Sequence, residues 1–148
     1  MATTEPPLIG ALLRIPLDHV YERLLQALHE HGFTDVNVAH FKVLRWPGPN
    51  GDRPVELAQR AGMTRQAMNY LLGQLEGLGY LERRIDPDDV RSRRVYLTSR
   101  GTSTIKVIRD AVTELERDWE ARLGAEDWDQ LKRLLVVLND AVTDERAS

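Results

Sequence analysis

The stretch from Pro54 to Gly73 constrains this chain more tightly than any other. Two short helices that cross steeply over a tight turn need a small residue where they touch. They also need a turn residue that tolerates positive φ, and apolar side chains on the facing surfaces. Ala58 is the small residue, Gly62 the turn, and Leu57, Ala61, Met63, Met68 and Leu71 the apolar set. Pro54 stands where proline is favoured, in a first helical turn. Thr64 is placed to cap the second helix by accepting from its early backbone N–H groups. The spacing predicts a helix over 54–61, a turn at Gly62, and a longer helix from Thr64 to about Leu78, closed by Gly79. Together these make a helix-turn-helix.

In such a unit the second helix shows the outer side of its N-terminal half, here Thr64, Arg65, Gln66, Asn69 and Tyr70. Arginine pairs bidentately with guanine, and glutamine or asparagine with adenine. Hydroxyls and the first helical amides hold phosphates. A polar helix face with Thr64 as a plain cap has the same periodicity. The absence of lysine and glutamate beside Arg, Gln, Asn and Tyr weighs against that reading. Charge distribution agrees with a nucleic-acid partner better than total charge does. The net charge is −3, yet residues 60–100 carry eight arginines against five acids. A solvated arginine-rich hairpin is the alternative on charge alone.

The flanks read as helical. Apolar residues from Leu8 to Leu28 recur at helical spacing in a stripe too broad for a lone surface helix, with Pro16 expected to kink it or delay its start. Asn37 is placed to cap a helix to about Trp46, before the turn-forming run Pro47 to Gly51. Arg53 stands where a capping side chain is expected, which leaves Asp52 as the candidate cap for the helix that follows. Residues 80–84 and 93–98 read as two strands around a loop at 86–92. A helix of about 20 residues follows Gly101, Gly124 breaks it, and a last helix starts near Glu126. The fold class is therefore mainly α with a small β-hairpin wing. A DNA-binding region at 37–101 sits between helical dimerisation segments at 8–36 and 102–144, and 1–7 and 145–148 are expected to be flexible termini.

The residues Leu57, Ala58, Gly62 to Gln66, Leu78 to Arg83, the wing from Asp86 to Arg93, and Leu97, Thr98 and Gly101 resemble the MarR family of winged helix-turn-helix transcription regulators. The resemblance implies a homodimer paired through its N- and C-terminal helices, each subunit offering one recognition helix and one wing to double-stranded DNA. It places Arg91 in the minor groove, with Asp89 orienting its guanidinium. A narrow A·T-rich groove has the negative potential to attract such an arginine. Arg93 and Arg94 follow on opposite strand faces, one of them directed to phosphate. Asp88 is an acid where relatives often carry a base.

Dimerisation is also suggested by the residues. In the last helix Trp128, Leu131, Leu135, Leu138 and Val142 step by 3, 4, 3 and 4, the spacing of a coiled-coil seam. With Trp119, and Leu12 near the start, this seam has no evident partner inside a small DNA-binding module. Two-fold symmetry would set the recognition helices about 34 Å apart, one duplex turn, and so select a pseudo-palindromic operator.

No enzymatic role is expected. No nucleophile pattern, phosphate loop or His-Glu-x-x-His motif accompanies His19, His29, His31 and His40. His29 and His31 are two residues apart, on different helix faces, so no metal site and no cofactor is assigned. The resemblance implies a small aromatic or anionic effector instead, with His19, Arg23, His40 and Trp46, and Tyr70 beside them, as the residues available to line its pocket. With no cysteine, thiol oxidation and disulfides are excluded as sensing chemistry. No apolar run approaches the ~20 residues of a membrane span, and no signal peptide is recognised, so the expected compartment is the cytoplasm. The expected function is a repressor released by a small molecule, with effector-independent or architectural DNA binding as the alternative.

Overall fold

The structure is a computed structural model that describes residues 6–147. Of the leader expected at 1–7 only Pro6 and Pro7 are described, and Ser148 lies outside. The element order is α1 (Ile9–Glu30), α2 (Val38–Leu44), α3 (Pro54–Ala61), α4 (Arg65–Gly77), β1 (Leu81–Asp86), β2 (Asp89–Leu97), α5 (Ser99–Leu123) and α6 (Ala125–Ala147). The mainly α fold with one antiparallel hairpin is as the sequence led us to expect. No helix among the described residues is long and apolar enough to cross a membrane.

Local chemistry explains the boundaries. The Asn37 side chain accepts from His40 N–H while the His40 ring accepts from Asn37 N–H, a reciprocal box that starts α2. Thr64 Oγ1 accepts from Ala67 N–H at 3.1 Å and starts α4. Gly62 ends α3 in the left-handed region at φ 64°, where a Cβ would be strained. α1 passes through Pro16 as one helix of 22 residues, so the expected late start does not occur. α5 starts at Ser99, ahead of Gly101, and α6 is helical as far as Ala147, into the segment expected to be a flexible end.

The described residues fall into two compact units, divided between Ala111 and Val112. In the first, Leu24 and Leu28 of α1, Phe41, Val43 and Leu44 of α2, Leu57 and Ala58 of α3, Met68, Leu72 and Leu75 of α4, and Tyr80, Leu81 and Val95 of the hairpin are buried. Leu71, expected in that core, is only half-buried; Leu72 and Leu75 fill the place. The hairpin pairs Leu81 with Leu97 and ends with Asp86 opposite Asp89, so the strands run almost to the tip around Pro87 and Asp88. The loop expected at 86–92 is thus mostly strand. Asp52 adds a bridge on the free edge of β2, giving its N–H to Val95 O (3.2 Å) and receiving Val95 N–H (2.8 Å). It is therefore not the cap of α3. Glu56 takes that part, its carboxylate accepting from Arg53 N–H at 3.2 Å.

In the second unit Leu115 and Trp128 are buried, and Trp119 packs edge-on against Trp128 with ring centroids 6.2 Å apart. Trp128, expected in the dimer seam, is spent inside its own chain at 8% exposure. Leu131, Leu138 and Val142 are exposed and Leu135 is half-buried, while Leu134, Val136 and Val137 are exposed too. In the first unit α1 leaves Ile9, Leu12, Leu13, Ile15 and Leu17 exposed, as is Leu8 just before it.

Candidate nucleic-acid interface

The α4 helix buries Met68, Leu72 and Leu75 and leaves Thr64, Arg65, Gln66, Asn69 and Tyr70 exposed. The helical period puts these on the side away from α3, with the free amides of the first turn among them. A shallow cleft of about 380 Å³ is lined by Thr64, Gln66, Ala67 and Tyr70. The hairpin is tied to this helix. The Arg83 guanidinium donates to Asn69 O at 3.4 Å and lies 3.5 Å from the Glu76 carboxylate.

The wing is held near its tip, at the end of β1, by Asp86, whose side chain is fully buried. Its Oδ1 accepts from Asp88 N–H at 2.9 Å and lies 3.1 Å from Arg94 Nε. Its Oδ2 accepts from Arg53 Nε at 2.7 Å and from Ser92 Oγ at 3.3 Å. The Asp88 backbone N–H, and after it the Arg53 and Arg94 guanidiniums, hold the carboxyl well below the usual carboxylate range against the opposing effect of burial. One ionised group thus joins the start of α3 to both wing strands. Arg53 was legible only as an anomalous residue at a cap position; its reach to Asp86, 33 residues away, is a tertiary fact.

At the tip Val90 is 81% exposed, and Asp89, Arg91 and Arg93 are exposed around it. Asp89 Oδ1 accepts from the backbone N–H of Arg91 at 3.0 Å. It shapes the turn; the expected contact with the Arg91 guanidinium is replaced by one to the main chain. Arg94, expected beside Arg93 at phosphate, is bound inward. It pairs with Asp86, lies 3.3 Å from the Asp88 carboxylate, and donates to Gly51 O at 3.3 Å.

The residues considered for an effector pocket are His40, His19, Arg23 and Trp46. His40 is buried and bonded to Gln74 on α4, and it lines a cleft of about 310 Å³ with Gly73, Gln74, Gly77 and Leu78. His19 is exposed on α1, 3.9 Å from the Glu22 carboxylate. The Trp46 ring lies under Arg45 at 4.6 Å, and its buried indole N–H meets no acceptor among the described residues. None of His19, Arg23 and Trp46 lines the cleft beside His40. Among the described residues no three His, Cys, Asp or Glu side chains group as metal ligands do.

A helix-turn-helix with an exposed polar second helix, followed by a basic hairpin pinned through Asp86, defines a winged helix-turn-helix. The MarR family model matches residues 34–92. The HTH-type transcriptional repressor Rv2887 of Mycobacterium tuberculosis is 36% identical over 80 residues, 54% of this chain and 58% of that protein. The chain therefore spans little more than half the length of the curated relatives it first matches. The crystal structure of the MarR family protein Rv2887 in complex with salicylic acid is 30% identical, covering 90% of this chain and 98% of that one, with a TM-score of 0.65. The transcriptional repressor CouR bound to a 23-mer DNA duplex is 28% identical, covering 89% and 92%, with a TM-score of 0.72. The chain belongs to the MarR family.

Proposed function

We propose that this protein is a homodimeric, sequence-specific repressor that binds a pseudo-palindromic duplex operator and releases it on binding a small aromatic anion. The observation that carries the reading is the exposed face of α4 standing beside a wing that Asp86 fixes near its tip. Arg65, Gln66 and Asn69 are assigned to base edges, and Thr64 and Tyr70 to the phosphates that set register. Arg91 is assigned to the minor groove and Arg93 to phosphate. Arg94 supports the wing from within, and Asp89 shapes its turn. CouR, solved on a DNA duplex, supports the nucleic-acid partner, and Rv2887, solved with salicylic acid, supports the class of effector.

The apolar faces left uncovered support dimer formation. Burying large side chains such as Leu12, Leu131, Leu138 and Val142 contributes about 1.5–3 kcal/mol each, so their exposure in a lone chain favours a second copy as the cover. Release then needs differential affinity: the effector binds better to a dimer whose two recognition helices no longer match one duplex face.

The test is selection from fragmented genomic DNA by the purified protein, followed by sequencing. The expected result is a shared two-fold motif with half-sites one helical turn apart. Recovery of fragments without a common motif favours sequence-blind architectural binding and overturns the operator.

A further inference from the structure

A directional chain of hydrogen bonds runs from the interior of the first unit to the exposed face of α4. Its direction is set at the inner end. The Asn37 backbone N–H lies 3.2 Å from His40 Nδ1, and a backbone N–H only donates, so Nδ1 is the accepting nitrogen. The ring proton is then on Nε2, which donates to Gln74 Oε1 at 2.8 Å. With its oxygen committed, the Gln74 amide turns its NH2 group to Tyr70 and donates to the hydroxyl at 3.0 Å. A phenol O–H lies in the ring plane in one of two orientations, and accepting from Gln74 removes the one that faces the amide. The hydroxyl proton therefore points outward, where it meets no acceptor among the described residues. His40 is 4% exposed and Tyr70 67%, so the chain links a fixed end to a solvent-facing one.

We propose that His40 and Gln74 are positioning residues that hold the Tyr70 hydroxyl as an outward donor to a phosphate oxygen of duplex DNA. The proposal rests on the DNA-binding reading above. Gln74 and Tyr70 alone would be an ordinary pair four residues apart on a helix, free to turn over in water. The buried imidazole removes that freedom, because reversing the amide would set its NH2 against the Nε2 proton. His40 is thereby assigned to the DNA-facing machinery rather than to an effector pocket.

The test is a double-mutant cycle on affinity for a duplex, with His40 read by nuclear magnetic resonance. In the wild-type background Tyr70→Phe is expected to lower affinity about tenfold, as loss of a hydrogen bond to a charged acceptor. Gln74→Glu reverses the outer link: its carboxylate accepts from the Tyr70 hydroxyl and draws the proton inward. In that background Tyr70→Phe is expected to leave affinity unchanged. The same cost in both backgrounds overturns the proposal while leaving DNA binding intact. Failure of the unaltered protein to bind any duplex overturns the proposal together with the reading it rests on. Independently, long-range nitrogen–proton correlation is expected to find His40 protonated at Nε2. Protonation at Nδ1 overturns the direction of the chain whatever the variants do.

Discussion

Gly101 stands in the first turn of α5, where the helix backbone lies against the end of α4 and the start of β1. A Cβ built at this position falls 2.1 Å from Tyr80 O, 3.2 Å from Tyr80 C and 3.1 Å from Leu97 Cδ2. Real Cβ contacts essentially never fall below 3.0 Å. Gly101→Ala must therefore open this junction by about 1 Å, and the nearest obstacle is main chain, which has no rotamer to change. The same Tyr80 carbonyl accepts from Thr98 N–H at 3.1 Å, and Thr98 Oγ1 donates to Gly79 O at 2.6 Å, so relief in one place strains the others. Overpacking against so stiff a neighbour costs about 3 kcal/mol. Alanine in place of glycine within a helix returns about 1 kcal/mol. The net loss is about 2 kcal/mol, a fall in Tm of about 4–8 °C for a chain of 148 residues. Gly73, inside α4, has no heavy atom within 4 Å of an added Cβ, and there the same substitution is expected to raise Tm by about 2–4 °C. The assay is thermal unfolding followed by circular dichroism at one protein concentration, since assembly makes Tm concentration-dependent. Equal stability of the two variants would refute the argument from close approach.

Arg91→Ala is expected to weaken binding to every duplex and to reduce the salt slope by about 1; an unchanged slope would remove Arg91 from the phosphate-lined groove. Asn69→Ala is expected to cost about 1–3 kcal/mol on the preferred site and little on random DNA, so equal losses on both would misplace the reading helix. Asp86 is held below the usual carboxylate range, so its contribution to stability is complete above about pH 5 and is lost as pH falls through and below the ordinary carboxylate value. Urea titrations at pH 7 and pH 3 should find less difference for Asp86→Asn than for the wild type. Burial, and then the bond to Asp35, push the Tyr80 phenol up to about 12, so its contribution is complete below about pH 10 and is lost as pH rises through about 12. Tyr80→Phe should flatten that alkaline loss, and an unaltered pH profile would argue against the Asp35 contact.

What was legible in the sequence is what local chemistry decides. Asn37 and Thr64 cap because their side chains reach backbone amides three residues on, and Gly62 and Gly79 break helices at positive φ. The wing was less legible. Asp86, Pro87, Asp88 and Asp89 have turn composition, and strand pairing beyond Arg84 depends on what holds Asp86 from elsewhere. Arg53 and Arg94 do this from either side, and neither contact leaves a mark at short range. Asp52 resembles a helix cap because caps are local, whereas its bridge to Val95 joins it to the outer edge of β2, far along the chain, and could not be read from neighbours. Trp128 fitted the heptad, but the turn at Gly124 folds Trp119 back onto it and takes it out of the seam. The same limit applies to the ligand residues. His19, Arg23, His40 and Trp46 share a chemistry, and only the fold decides that His40 faces Gln74 while Trp46 lies under Arg45.

The central claim is sequence-specific binding of duplex DNA by a dimer through α4 and the wing. The most direct measurement is a titration of the protein against its own upstream intergenic duplex and a random duplex of equal length across a salt series. The account predicts saturation at one dimer per site, a large preference for the intergenic duplex, and log affinity falling linearly with log salt. Equal affinity for the two duplexes, or no binding at low salt, would contradict it.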